Sequence, residues 1–156
     1  MVADALRRTP VPPGYDREVQ TPIPGASEVR FRVRYAETDQ MGVVYHANYL
    51  VWMEMARTEL CRVRGVRYRD IELNDGLRMV VAEVSCRYHK PARYDVEIVA
   101  RAVIQHAHPR MITFGYQIHN EAGELLSSGE TRHLFLNQEG KPVKVPPKYK
   151  ELFSLA

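Results

Sequence analysis

The sequence predicts an α+β domain in which a curved five-stranded antiparallel sheet wraps around one long central helix. Three observations lead there. The chain reads in order as one strand, one long helix and four further strands. The turns between the last four strands are short, which makes sequential neighbours antiparallel. A single helix cannot cover both faces of a sheet, so the economical packing curves the sheet around it. A helix lying flat on an open sheet would show the same periodicity and stays as the rival.

Order begins at Glu28, where Val29, Phe31, Val33 and Tyr35 alternate with Arg30, Arg32 and Arg34, the pattern of a half-buried strand. The alternation stops between Glu37 and Tyr45, which therefore read as a loop. From about His46 to Arg64 the period changes: Leu50, Met53, Ala56 or Arg57, Leu60 and Val63 or Arg64 recur at steps of three and four, and Gly65 supplies a C-terminal stop. A second strand carries Val80, Ala82, Val84, Cys86 and Tyr88 on one face and ends at Pro91. A third carries Tyr94, Val96, Ile98, Ala100, Ala102 and Ile104. A turn at His106 to Pro109 leads to a fourth with Ile112, Phe114, Tyr116 and Ile118. Asn120 to Gly123 form a hairpin turn before a fifth strand from about Leu125 to Leu136, closed by Asn137 to Gly140.

Residues 1–27 read as a separate, proline-rich N-terminal arm, because Pro10, Pro12, Pro13, Pro22 and Pro24 interrupt any helix or central strand. Residues 28–156 read as the folded domain, ending in a tail from Lys141 to Ala156 that contains Pro142, Pro146 and Pro147. This domain is long enough to stand on its own core without staples. Lysine plus arginine number 22 against 19 acidic residues, a net charge of +3. That balance suits an anionic small molecule and does not mark a nucleic-acid-coating protein. The 2 cysteines, Cys61 and Cys86, cannot build a disulfide scaffold or a four-cysteine zinc site, and both read as packing residues. His106 and His108 lie at a solvated turn with no carboxylate or thiol cluster beside them, so no metal site is expected. No apolar run reaches the ~20 residues of a membrane span, and no secretory h-region opens the chain. The cytoplasm is the expected compartment.

The 9 glycines include no pair two residues apart, which excludes a dinucleotide fingerprint, and neither a P-loop nor a Gly-x-Ser-x-Gly elbow occurs. One segment stands out, Tyr35-Ala36-Glu37-Thr38-Asp39-Gln40-Met41-Gly42-Val43-Val44-Tyr45-His46-Ala47-Asn48-Tyr49. It places a carboxylate in a loop just before a long helix, whose first N–H groups and positive dipole end are free to meet an anion. A carboxylate base or nucleophile plus N–H donors are the parts of acyl transfer. Gly42 is expected to let the loop pass close to a substrate. An aspartate that only caps a turn is the plainer alternative, and such aspartates are common.

This segment closely resembles the signature of the 4-hydroxybenzoyl-CoA thioesterase-like family of hotdog-fold acyl-CoA thioesterases. Asp39, Gly42, Val43, Val44, Tyr45, His46, Asn48 and Tyr49 carry the resemblance. It continues through Met53, Glu54, Arg57, Thr58 and Glu59, returns at Tyr88 to Ala92 and Tyr94-Asp95, and covers roughly residues 28–145. The resemblance implies a hotdog fold and hydrolysis of acyl-CoA, with coenzyme A as part of the substrate and no separate cofactor. It also implies Asp39 as the catalytic carboxylate, acting as nucleophile or through a water, and the backbone N–H of His46 as oxyanion donor. Gly42, Tyr45 and Asn48 would shape or bind substrate. Apart from the resemblance, Lys90 and Arg93 flank the Pro91 bend at a strand end, where an anionic coenzyme A tail could lie; a solvated charged turn is the alternative. An acyl carrier protein as thioester donor, or a non-catalytic acyl-thioester-binding protein, are the alternatives. A homodimer or homotetramer is expected, with two sheets joined into one.

Overall fold

The computed structural model describes residues 25–155; the arm assigned from the prolines lies almost wholly outside them. Five strands are formed, β1 (Ser27–Arg32), β2 (Arg78–Tyr88), β3 (Glu97–His108), β4 (Met111–Asn120) and β5 (Leu125–Leu136), with helices α1 (Asn48–Val63) and α2 (Tyr68–Asp75) between β1 and β2. Short 3-10 turns stand at Tyr35–Glu37 and Pro147–Tyr149. The strands make one antiparallel sheet in the order β1-β3-β4-β5-β2. Helix α1 lies over β1, β3 and β4.

The core follows from the register. Ala100 of β3 pairs with Val29 and Ile118, Ala102 with Tyr116, and Ile104 with Phe114. These side chains line the face under α1, and Phe114, Tyr116, Ile118, Ala100 and Ala102 are buried. Small alanines opposite large aromatics leave room for the helix to lie close. The helix answers with Tyr49, Trp52, Met53, Ala56 and Leu60, an unbroken stripe at steps of three and four. The stripe differs from the one read from the sequence: Leu50 is only half-buried and Val63 is exposed, because Tyr49 and Trp52 take the inward positions. Met53 reaches Gly129 of β5, where an added Cβ would meet its methyl at 2.8 Å. The helix ends as its glycine foretells. Gly65 takes φ +86, and the N–H of Val66 returns to the carbonyl of Cys61 at 3.0 Å.

Five features depart from the sequence reading. Ser27 belongs to β1 and not to the arm, since its hydroxyl bonds the Ala56 carbonyl at 3.3 Å and roots the strand under the helix. Helix α2 leaves no mark in the sequence pattern, because only Ile71 of its eight residues is buried and no stripe forms. Gly76, at φ +61, ends it. The face assigned to β2 is broken by a bulge between Val81 and Glu83. Val81 pairs with His133 and shares the helix-side row with Val84, whereas Val80 pairs with Leu134 in the outer row. Strand β3 starts at Glu97 and not at Tyr94, after a turn in which Asp95 adopts φ +65. Finally, the proline-containing tail is core: Val145, Tyr149, Leu152 and Phe153 are buried, and the Phe153 ring meets Phe135 at 5.2 Å.

One polar chain is buried beneath the sheet. Arg57 of α1 donates to the Tyr116 hydroxyl at 3.1 Å, Tyr116 and Thr131 share a bond of 2.6 Å, and His133 Nε2 meets the Thr131 hydroxyl at 2.7 Å. Burial, and then the Arg57 charge, press the His133 imidazole down from 6.5 to about 4. The unfolded chain therefore takes up a proton below 6.5 that the folded chain refuses until about 4. Stability attached to this group is intact above the upper value and is lost as pH falls through that window, by about 3 kcal/mol in all. Urea midpoints between pH 7 and pH 4.5 should fall more steeply for the native chain than for His133→Gln, whose amide does not titrate.

Candidate active site

Residues 37–45 fold back on themselves as a small hairpin, joined by a bridge between Thr38 and Val44. At its tip the Asp39 carbonyl accepts the Gly42 N–H at 2.9 Å, and the Asp39 N–H reaches the Val43 carbonyl at 2.9 Å. This is a tight turn with Gly42 at φ +73 in its last position. The reason for the glycine is thus backbone conformation. A Cβ there would meet only Arg93 Nη1 at 4.0 Å, so close approach of a neighbour is not what demands it. The Asp39 carboxylate is half-buried, and its Oδ1 accepts the Met41 N–H at 2.8 Å. That bond orients the carboxylate and leaves Oδ2 without a hydrogen-bond partner among the described residues.

The hairpin leads directly into α1. The Asn48 N–H bonds the Tyr45 carbonyl at 3.0 Å, and the Tyr49 and Leu50 N–H groups return to His46 and Ala47. No acceptor among the described residues takes the His46 N–H, which sits where a helix start leaves its donors unsatisfied. The His46 ring is exposed and lies against Tyr45 at 4.4 Å between centroids. The Tyr88 hydroxyl donates to the His46 carbonyl at 2.9 Å. Burial, reinforced by Cys86, raises the Tyr88 pKa, so the phenol keeps the proton it donates.

Two further anchors hold this junction. Val44 donates to the Ala92 carbonyl at 2.9 Å, and the Ala92 N–H reaches the buried Tyr49 hydroxyl at 3.0 Å. Glu37, buried beneath the turn, accepts from Trp52 Nε1 at 3.0 Å and from the Arg34 N–H at 2.7 Å and Nη2 at 3.0 Å. Burial by itself would raise the Glu37 carboxyl, but the bonds from Arg34 and Trp52 outweigh it and hold it below the usual 4.5.

The residues singled out from the sequence thus separate. Asp39, Gly42, Tyr45 and His46 share the hairpin and the helix start. Asn48 points back at the loop, its Nδ2 bonding the Glu37 carbonyl at 2.9 Å. Arg93 lies beside the tip and bonds the Gly42 carbonyl at 3.3 Å. Lys90 is not brought to the tip: it forms an ion pair with Glu124, next to the β4–β5 turn. Glu54 bonds the Thr58 hydroxyl at 2.8 Å and Glu59 pairs with Arg62, both at the surface. Glu37 and Tyr88 were not singled out as site residues. Each sits in a matched or alternating segment, and nothing in spacing alone shows where its side chain ends. Among the described residues, no group of three His, Cys, Asp or Glu side chains converges to hold a metal ion, and no helix is long and apolar enough to cross a membrane.

The five-stranded antiparallel sheet with α1 packed on it is a fold shared with known thioesterases. Residues 41–127 match the model of the thioesterase superfamily. The chain is 41% identical over 119 residues to the putative acyl-CoA thioesterase YneP of Bacillus subtilis, covering 76% of this chain and 86% of that protein. It is 30% identical over 117 residues to the acyl-CoA thioester hydrolase YbgC of Escherichia coli, covering 75% and 84%. Among solved structures, the DHNA-CoA thioesterase of Staphylococcus aureus superposes with a TM-score of 0.79 at 31% identity, covering 83% of this chain and 89% of that one. The chain belongs to the thioesterase superfamily and has its hotdog fold.

The turn geometry yields a prediction. Gly42→Ala should cost about 1 kcal/mol of stability, the penalty of a left-handed alanine in otherwise open space. It should also lower turnover by loosening the Asp39 tip. Gly42→Asn should be milder on both counts, since asparagine tolerates this conformation. Thermal melts and steady-state rates on an acyl-CoA substrate compare the two.

Proposed function

We propose that the protein hydrolyses acyl-CoA thioesters to a carboxylic acid and coenzyme A, with Asp39 as the catalytic carboxylate and the His46 N–H as oxyanion donor. The observation that carries this is a pair of uncommitted groups among the described residues: Oδ2 of Asp39 in the hairpin, and the N–H of His46 where that hairpin leads into the helix. The N–H, backed by the helix dipole, stabilises the negative charge that grows on the thioester oxygen. Asp39 either attacks the carbonyl carbon, giving an anhydride that water then opens, or takes a proton from the water that attacks. In both routes the C–S bond breaks, water supplies the new carboxyl oxygen, and the thiolate leaves as coenzyme A with a proton.

Coenzyme A is favoured over an acyl carrier protein as the carrier, since the relatives named above are described as acting on CoA esters. Arg93, exposed beside the tip, is the candidate contact for the anionic tail, whereas the Lys90–Glu124 pair makes Lys90 a weaker one. The role assigned to Asn48 is to hold the loop, and that assigned to Tyr45 is to shape the mouth of the site. The cytoplasm is the compartment proposed.

We further propose a homodimer built on β2, or a homotetramer made of two such dimers. Strand β2 is an edge with one side of its backbone unpaired among the described residues, and Val80, Val81 and Val84 along it are 42%, 49% and 47% exposed. An apolar edge strand is a template for a second copy.

Two outcomes test these readings. Asp39→Asn keeps the shape of the turn and should cut turnover by at least ~100-fold while leaving the protein folded. His46→Ala retains the N–H and should do far less harm; an alanine variant as inactive as the Asp39 variant would make the imidazole a catalytic group. In light scattering the native chain should exceed monomer mass, and Val84→Lys should shift it toward monomer. A fully active native monomer would overturn the dimer.

A further inference from the structure

We propose that Glu37 is a positioning residue of the thioester site, its buried carboxylate fixing the Asp39 hairpin against helix α1; this rests on the assignment of Asp39 above. Glu37 is 4% exposed, and its carboxylate takes three donors, two from Arg34 and one from Trp52. The Arg34 bonds close the local 3-10 turn and would suffice for it. The Trp52 bond does something else: it crosses to the second turn of α1, fifteen residues on. The main-chain carbonyl of the same residue accepts the Tyr45 N–H at 2.8 Å and Asn48 Nδ2 at 2.9 Å. One residue therefore grips the base of the hairpin on its incoming and outgoing sides and the helix beneath it. Asp39 lies two residues beyond this grip and His46 one residue beyond its far end.

A buried carboxylate is a costly way to fill space, because it must be stripped of water and fully paired. An apolar side chain of similar size would pack there without that cost but would leave the Trp52 N–H and the Arg34 N–H without acceptors. What the carboxylate adds is direction. It sets the hairpin relative to the helix start, and so sets the carboxylate of Asp39 relative to the N–H of His46. Reaction rates are steep in that distance.

The test uses Glu37→Gln and Trp52→Phe, with Asp39→Asn alongside, in the full-length chain. Glutamine keeps the volume but can offer only one acceptor oxygen, so its NH2 group must face one of the donors. Phenylalanine keeps an aromatic ring but loses the N–H together with the fused five-membered ring, so its rate is read per folded molecule to separate the lost bond from the cavity it leaves. Both variants should lower kcat by about tenfold or more with KM for the acyl-CoA changed by less than about twofold. Hydrogen exchange at the Tyr45 amide should speed up by about tenfold, while the amide of Phe114 in β4 exchanges as in the native chain. A merely structural role would lower the folded fraction and raise exchange in β4 as well, with kcat per folded molecule unchanged, and that result would overturn the proposal. So would native kcat and native Tyr45 exchange in both variants while Asp39→Asn is inactive. If Glu37→Gln does not fold, Trp52→Phe decides by the same readouts. Native turnover in a folded Asp39→Asn variant would overturn the assignment of Asp39, and the positioning role with it.

Discussion

Burial of Trp52 ties the fold to the site. Its ring is fully buried, 5.3 Å from Phe31 of β1 and 4.8 Å from Tyr49 of its own helix. An indole in such a place brings a large apolar gain and one obligation, a partner for its N–H. Glu37 meets that obligation, and in doing so pulls the segment after β1 down onto the helix. The step from strand to helix is therefore not a free loop. It is a short hairpin bonded beneath to the helix, at its side to Ala92, and at its exit to Tyr88 of β2. Packing and site geometry share the same few residues.

The sheet shows the same economy. Strands β3 and β4 carry the rows that α1 covers, and their alternation was plain in the sequence because one face is uniformly apolar. Strand β2, at the edge, obeys different constraints. Its end at Tyr88 anchors the helix start, while its middle bulges and leaves valines in solvent. A strand that serves the site at one end and stays apolar at an open edge along its length is consistent with a second copy lying against it. Such a neighbour would stand close to the site that Tyr88 supports.

What could be read from residues alone follows from the range of the forces involved. The helix and its stop at Gly65 and the alternation of Ile112 to Ile118 are local, and local pattern expresses them. The bulge at Ala82 is not local: it is settled by how β2 meets β5, and it puts Val81, not Val80, on the same sheet face as Val84. Helix α2 has one buried side chain, and its far end is tied by Asp75 to Lys148 at 2.7 Å, a contact across more than seventy residues. The tail was legible only as proline-rich, and its burial depends on the Phe135–Phe153 contact. Asp39, the carboxylate proposed for the site, stands out because the motif around it is dense. Glu37, two residues away, is as unusual physically but carries no sign in the sequence that its side chain turns inward.

That density has a physical explanation in the hydrogen bonds. Most of the residues that make the segment recognisable have their polar groups already engaged. The Asn48 amide and the Tyr45 N–H both serve the Glu37 carbonyl, the Gly42 N–H serves Asp39, the Val44 N–H serves Ala92, and the Tyr49 hydroxyl receives Ala92 in return. A group held in an internal hydrogen bond is poorly placed to act on a substrate, because it must first give that bond up. Setting the engaged groups aside leaves few that face outward. Among them are one oxygen of Asp39, the N–H of His46 and the exposed His46 ring. Hydrolysis of a thioester needs a base or nucleophile and a donor for the developing oxyanion. Under the proposed reading the first two groups fill these roles, and the internal bonds of the rest of the segment hold the hairpin against the helix start.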